Sequence, residues 1–397
     1  MTLDILKVAG ELRAAVEREI EKERGGRPAL LELLRVFDDA EVTRRVASAR
    51  TSWLLGLPLG RYFERFPAPA QVRAGYSCVA TDASLVVSDR HGPVQYVVIN
   101  VGFCVLEYGE EPAAQLGSDP IVLWREEELS IPDGSRRIPI IGNVLAMRRM
   151  VAELEAALRL TQHVHEPVLA LQDGTLIPWV LEGQTSGLVQ WGIEGYARTL
   201  AEFRRRRIPV AGVISYPGSR DIVNVLRVAA CDYPRLGHIV NCDDCLRRVA
   251  RGERVQACAI VPDVTDRWLF AMLDDVRLAP GERSTCFRSQ SSILDQLPAD
   301  DRIVFFYLHT GTEVARVELP HWVAVDRDLL DFVHTVVWDQ CTRARGYPLA
   351  LQEAHEQAVV HREERLQLAA LIEQFFASNG FLEQRSAKER SKRVRYA

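Results

Sequence analysis

The chain has 397 residues, 47% hydrophobic and 26% charged, a balance that excludes a disordered or fibrous protein. Its net charge of −5 excludes a global basic field, so any grip on nucleic acid must come from local patches. No apolar run reaches the roughly 18–20 residues that span a bilayer, and the opening stretch MTLDILKVAGELRAAVEREIEKERGG lacks a signal-peptide core, so the expected location is the cytoplasm, with no membrane partner.

In chain order, Ile5, Val8, Leu12 and Val16 fall on one helical face, and Leu30, Leu31, Leu33, Leu34 and Val36 follow. Gly25-Gly26-Arg27-Pro28 predicts a break between two helices. Proline-rich residues 51–75 read as loop. Tyr76–Val87, Gln95–Tyr108 and Ile121–Trp124 are rich in Val, Ile and aromatics and read as strands, with His91-Gly92-Pro93 as the first turn. A helix is expected from Gly142 to Val164, a strand at Pro167–Leu171, a helix over Gly192–Arg207 and a strand at Val210–Ser215. Residues 219–300 read as irregular. Arg302–His309 and Glu313–Leu319 read as a hairpin, and one long helix is expected from Leu349 to Asn379. An antiparallel meander followed by α/β alternation predicts an α/β protein with a ribonuclease-H-like mixed sheet rather than a doubly wound one. The boundaries that follow are a helical segment over 1–70, a main domain over 71–380 with a cysteine-containing insertion at about 219–300, and a basic tail over 381–397.

Two stretches raise the same question. VATDASLVV (79–87) and VLALQDGTL (168–176) each place an aspartate in or at the end of an apolar strand. Carboxylates are rarely buried unless paired or bound to metal. If neighbouring strands bring Asp82 and Asp173 together, their hard oxygens suit Mg²⁺ or Mn²⁺, ions that activate water in phosphodiester cleavage. A local turn at Asp173-Gly174 is the plainer alternative. Glu153 and Glu155 lie on the preceding helix, where one can supply a third carboxylate; Arg149, four residues before Glu153, equally allows a surface ion pair. His355, in YPLALQEAHEQA, is a candidate fourth ligand or proton shuttle.

Eight cysteines without a leader do not suggest a disulfide framework. Cys78 and Cys104 read as core. Cys231, Cys242, Cys245 and Cys258 follow the spacing C-x10-C-x2-C-x12-C, with His238 between the first two. One CxxC matches a zinc knuckle, but the full spacing matches no standard zinc pattern. Buried thiols and a zinc or iron–sulfur site both remain open.

The ordered set ATDAS (80–84), LQDGTL (171–176), AGVISYPGSRD (211–221), RVELP (316–320) and YPLALQEAHEQA (347–358) resembles the NurA nuclease family over about 75–360. The resemblance implies a ribonuclease-H-like fold and Mn²⁺-dependent 5′–3′ exonuclease and single-strand endonuclease activity on DNA. It also implies a ring-shaped homodimer and a HerA-type hexameric translocase partner in DNA-end resection and repair. By position, Asp82, Asp173, Glu153 (with Glu155 as fallback) and His355 correspond to the metal and catalytic set. Two departures stand out: Ala83 where the family usually has Gly, and Tyr216-Pro217 where many members have a Lys, with Arg220 as a substitute phosphate contact. They motivate an alternative reading, a catalytically inactive scaffold that binds nucleic acid or a partner.

Overall fold

The computed structural model describes residues 5–69, 75–88, 94–232, 239–253 and 256–380. The expected turn at His91–Pro93, His238 and the basic tail lie outside the described residues. The chain divides into two units, residues 1–71 with 212–347 and residues 72–211 with 348–397.

The first unit opens with helices α1 (Ile5–Arg35) and α2 (Asp39–Ser48) and short strands β1 (Gly56–Pro58) and β2 (Arg65–Phe66). Gly25–Pro28 does not break α1, contrary to the sequence expectation. Packing carries the helix across. A Cβ at Gly26 would collide with Pro262, Arg27 pairs with Asp274 at 2.9 Å, and Leu30 is fully buried. Tertiary contacts override propensity here. The predicted face of Ile5, Leu12 and Val16 is exposed.

The chain then builds the second unit. Strands β3 (Tyr76–Val87), β4 (Val97–Tyr108) and β5 (Ala113–Leu123) form an antiparallel meander. β5 begins earlier than its apolar end suggests, because its first residues are exposed and carry no β-branched run, as an edge strand tolerates. A small hairpin, β6 (Ser130–Asp133) and β7 (Arg136–Pro139), leads to helix α3 (Gly142–Leu160), strand β8 (Val168–Asp173), helix α4 (Ser186–Arg205) and strand β9 (Val210–Ile214). β8 runs parallel to β3, and their pairing ends with Thr81 opposite Gln172. This is the predicted mixed α/β order.

From Gly212 the chain is back in the first unit. The stretch read as irregular holds helices α5 (Asp221–Ala229), α6 (Cys242–Ala250) and α7 (Asp266–Met272) and short strands β10 (Arg283–Ser284) and β11 (Phe287–Ser289). These helices are short, and α6 and α7 begin on the local caps Asn241 and Thr265, so they lack the long periodic signal that reveals a helix. Strands β12 (Ile303–His309) and β13 (Val314–Pro320) form the expected hairpin, followed by helices α8 (His321–Val325) and α9 (Arg327–Arg343). Their core gathers Leu30, Tyr62, Ile222, Phe270, Phe287 and Phe305.

Helices α10 (Leu349–Ala358) and α11 (Arg362–Ser378) complete the second unit. The single helix expected here is two. Asn100 Nδ2 (3.0 Å) and Ser84 Oγ (2.5 Å) both donate to the Ala358 carbonyl, satisfying an acceptor that α10 leaves open at its end. A new helix starts where the Glu364 carboxylate accepts the His361 N–H at 2.8 Å.

Candidate metal centre

Strand alternation sorts the candidate residues between two faces. Thr81 donates to the Glu153 carbonyl on α3, and Gln172 donates to the Glu153 carboxylate, so odd-numbered Thr81 and its rung partner Gln172 face α3. Asp82, Ser84 and Asp173 therefore face the other way, toward α10. Gly102 lies opposite Asp82 on β4. A Cβ there would collide with the backbone of Ala354, Gln357 and Ala358. The missing side chain lets α10 lie directly on the sheet, and this close approach places His355 over Asp82. The available signal was a glycine within an otherwise apolar strand.

Asp82 is buried and doubly held. Its Oδ1 accepts the Ala83 N–H at 2.8 Å, and its Oδ2 meets His355 Nδ1 at 2.7 Å. That contact raises the His355 pKa, with burial opposing and the charge of Asp82 adding to the rise. Asp173 is half-buried at the end of β8. Potential ligand atoms of Asp82, Asp173 and His355 all lie within 4.8 Å of one another. His355 is exposed, so the group opens to solvent. Two carboxylates and an imidazole are a donor set that suits Mn²⁺.

Glu153 reaches this region from the α3 face. It is 1% exposed, with Oε1 accepting from Arg149 at 3.0 Å and Oε2 from Gln172 at 2.7 Å. Burial pushes its pKa to about 8; Arg149 opposes the rise, and Asp82 and Asp173 add to it. The Arg149–Glu153 pair read from the sequence forms, but on a buried face rather than a solvated one. Arg149 Nη1 also donates to the Ala83 carbonyl at 3.1 Å and lies 3.8 Å from Asp82 Oδ1. It takes the position beside β3 that β8 leaves when it ends. Glu155 sits elsewhere, 3.7 Å from Arg198 on α4. The sequence reading missed Gly102 and Gln172 and gave Arg149 only a surface role.

The family model for the NurA domain matches residues 76–360. This chain belongs to the NurA family. NurA is a nuclease family. The chain is also similar to a crystal structure of NurA bound to dAMP and manganese, at 13% identity and a TM-score of 0.34, over 88% of this chain and 96% of that one. A second crystal structure, of NurA with manganese, is similar at 12% identity and a TM-score of 0.38, over 90% and 97%. No curated protein sequence matches.

The two departures from the family resemblance have local explanations. Ala83 uses its backbone at this site, the N–H to Asp82 and the carbonyl to Arg149, and its methyl is buried without displacing either. Tyr216 stacks beneath Arg267, 3.4 Å from ring centroid to guanidinium carbon, and Arg220 pairs with Asp263 at 2.9 Å. The RVELP and SRD motifs form a buried ion network: Arg316 donates to Asp221 at 3.1 Å and to Glu318 at 2.8 Å. No helix among the described residues is long and apolar enough to cross a membrane.

Proposed function

We propose that this protein is a metal-dependent deoxyribonuclease whose nuclease domain spans residues 71–380. The observation that carries the reading is the convergence of Asp82, Asp173 and His355 on one point. Asp82, Asp173 and His355 would hold Mn²⁺ or Mg²⁺, and Glu153 would complete the acidic set through the gap where β8 ends. When bound, such an ion activates water and offsets charge on the leaving oxygen.

The chain's own residues prepare that chemistry. The Ala83 N–H fixes one oxygen of Asp82 while the other meets His355 Nδ1. His355 gives up its proton for the site to load, and its exposed ring then borders the side from which substrate enters. Arg149 offsets the charge of Asp82 and donates a hydrogen bond to Glu153 while no cation is present. In the reaction, water adds to phosphorus as one P–O ester bond breaks, leaving a hydroxyl on one strand end and a phosphate on the other. Membership of the family further supports 5′–3′ exonuclease and single-strand endonuclease activity, a homodimer, and action with a HerA-type hexameric translocase in DNA-end resection and repair in the cytoplasm.

The test is cleavage of labelled single- and double-stranded DNA in Mn²⁺, Mg²⁺ or EDTA, with Asp82→Ala, Asp173→Ala and His355→Ala alongside. Cutting is expected only with metal. Each variant is expected to lose more than the roughly 10–100-fold that follows loss of a residue merely supporting a metal ligand. Binding without cutting, with the translocase present, would favour the inactive scaffold instead.

A further inference from the structure

Four of the cysteines stand apart from the candidate nuclease site and form a group of their own. Cys231 follows α5; its N–H donates to the Val228 carbonyl at 3.2 Å and its carbonyl accepts from Arg45. Cys242 and Cys245 occupy the first turn of α6, where residues three apart share a face. This turn is anchored twice: Arg50 N–H donates to Val240 at 2.7 Å, and Cys242 N–H donates to Arg50 at 2.9 Å. Cys258 is buried in a single turn of 3₁₀ helix, Ala257–Ile260, against which α5 packs. Cys231 and Cys242 border the core of the first unit.

Three separate segments thus deliver four sulfurs to one neighbourhood. Cys258 lies within electrostatic reach of Cys231, Cys242 and Cys245, and Cys242 within reach of Cys231 and Cys245. The perturbed cysteines outside this group behave differently. Cys104, Cys286 and Cys341 respond to burial and then to Glu353, Arg283 and Glu313 respectively, not to other thiols. No disulfide closes within the group.

A gathering of thiolates selects soft metals, zinc or iron–sulfur. Spacing separates the two. Tetrahedral zinc with bonds near 2.3 Å holds its sulfurs about 3.8 Å apart. Among the described residues, the set drawn within 4.8 Å is Asp82, Asp173 and His355; no three of the four sulfurs share so close a spacing, which is wider than one zinc sets and leaves room for a cluster of several metal atoms. The amide end of α6 also favours thiolates on its first turn.

We propose that Cys231, Cys242, Cys245 and Cys258 ligate an iron–sulfur cluster that ties α5, α6 and the Ala257–Ile260 turn into one block.

The full chain, purified and reconstituted without oxygen, is assayed for iron, acid-labile sulfide and zinc, and for visible absorbance before and after reduction. About two or four iron atoms with matching sulfide are expected per chain, retained in Asp82→Ala and Cys104→Ala and lost in Cys242→Ser and Cys258→Ser. Alkylation of the wild type gives a reading independent of whether those serine variants fold. The four cysteines should resist labelling in the loaded protein and label fully once a chelator strips the cluster. One zinc per chain without sulfide overturns the iron–sulfur assignment. No metal, with all four thiols labelled at once in freshly purified protein, overturns the site altogether. Because the site lies outside the carboxylate–histidine set, metal content at the cysteines stands whether or not DNA is cut.

Discussion

Glu153→Gln is expected to make the metal-free protein more stable, at the site where it should harm function. Burial, with Asp82 and Asp173 adding and Arg149 opposing, raises this carboxyl from 4.5 to about 8. The sign follows from linkage. Below the unfolded value, both states hold the proton and this group's stability contribution is fully present. As pH rises, the unfolded chain releases its proton first, and stability falls by about 1.4 kcal/mol per pH unit until the folded value is passed. From 4.5 to pH 7 this amounts to about 3 kcal/mol. Glutamine does not titrate and resembles the protonated carboxyl that the folded protein holds at pH 7. Its geometry is also accommodated. Arg149 keeps an oxygen to donate to, and Gln172 can turn its amide so that Oε1, which has no hydrogen-bond partner, accepts from the new amide nitrogen. Urea unfolding in EDTA should therefore show the variant ahead by up to about 3 kcal/mol at pH 7 and by about 1 kcal/mol or less at pH 5. With Mn²⁺ the order should reverse, because ligand binding stabilises only the protein able to bind it. A variant no more stable than wild type in EDTA at pH 7, or a gap that does not change from pH 5 to 8, would refute the reasoning.

Three further outcomes follow from the same geometry. His355 should titrate above its ordinary value by NMR, and Asp82→Asn should lower it, since the Asp82 hydrogen bond is the leading cause of the rise; Mn²⁺ affinity should weaken as pH falls through that raised value, because the ligand must be deprotonated. Gly102→Ala should cost about 1–3 kcal/mol in unfolding experiments by forcing α10 off the sheet, and should weaken Mn²⁺ binding although residue 102 offers no ligand; unchanged binding would mean that the close approach does not position His355. Arg316→Met leaves Asp221 and Glu318 buried without their shared cation and should cost about 3–5 kcal/mol, a loss read by chemical denaturation; a cost below about 1 kcal/mol would place the network in solvent-like surroundings.

What the sequence displayed and what it concealed divide along a physical line. Asp82 and Asp173 were legible because an ionisable group in an apolar run is costly wherever it is found. The strands carrying them were legible because the β-branched run that signals a strand also buries it. Glu153 was legible as a carboxylate on a helix but not as a buried one, since α3 buries it among its apolar residues while Glu155 stays half-exposed. α1 was misread at Gly25–Pro28 because Pro262, Asp274 and the core around Leu30 support it from far along the chain. The cysteines show the same limit from the other side. Their spacing matched no zinc template, because a spacing template assumes the fold between ligands is a simple loop. Here α6 starts at the second cysteine and carries the third on its first turn, and Arg50, nearly two hundred residues before Cys242, holds that start in place.

Gly102 argues the point most directly. Its own position offers only an absence, a strand residue without a side chain, and its effect falls on a helix some 250 residues later. The helix lies close because nothing stands in its way, Ser84 and Asn100 then bind its last carbonyl, and those two restraints together set His355 on Asp82. A metal ligand chosen by residue type alone could have been any histidine on any late helix. What selects His355 is the space left by a glycine on the strand beside the aspartate, which is why alanine at 102 should impair the site while leaving every proposed ligand in the chain.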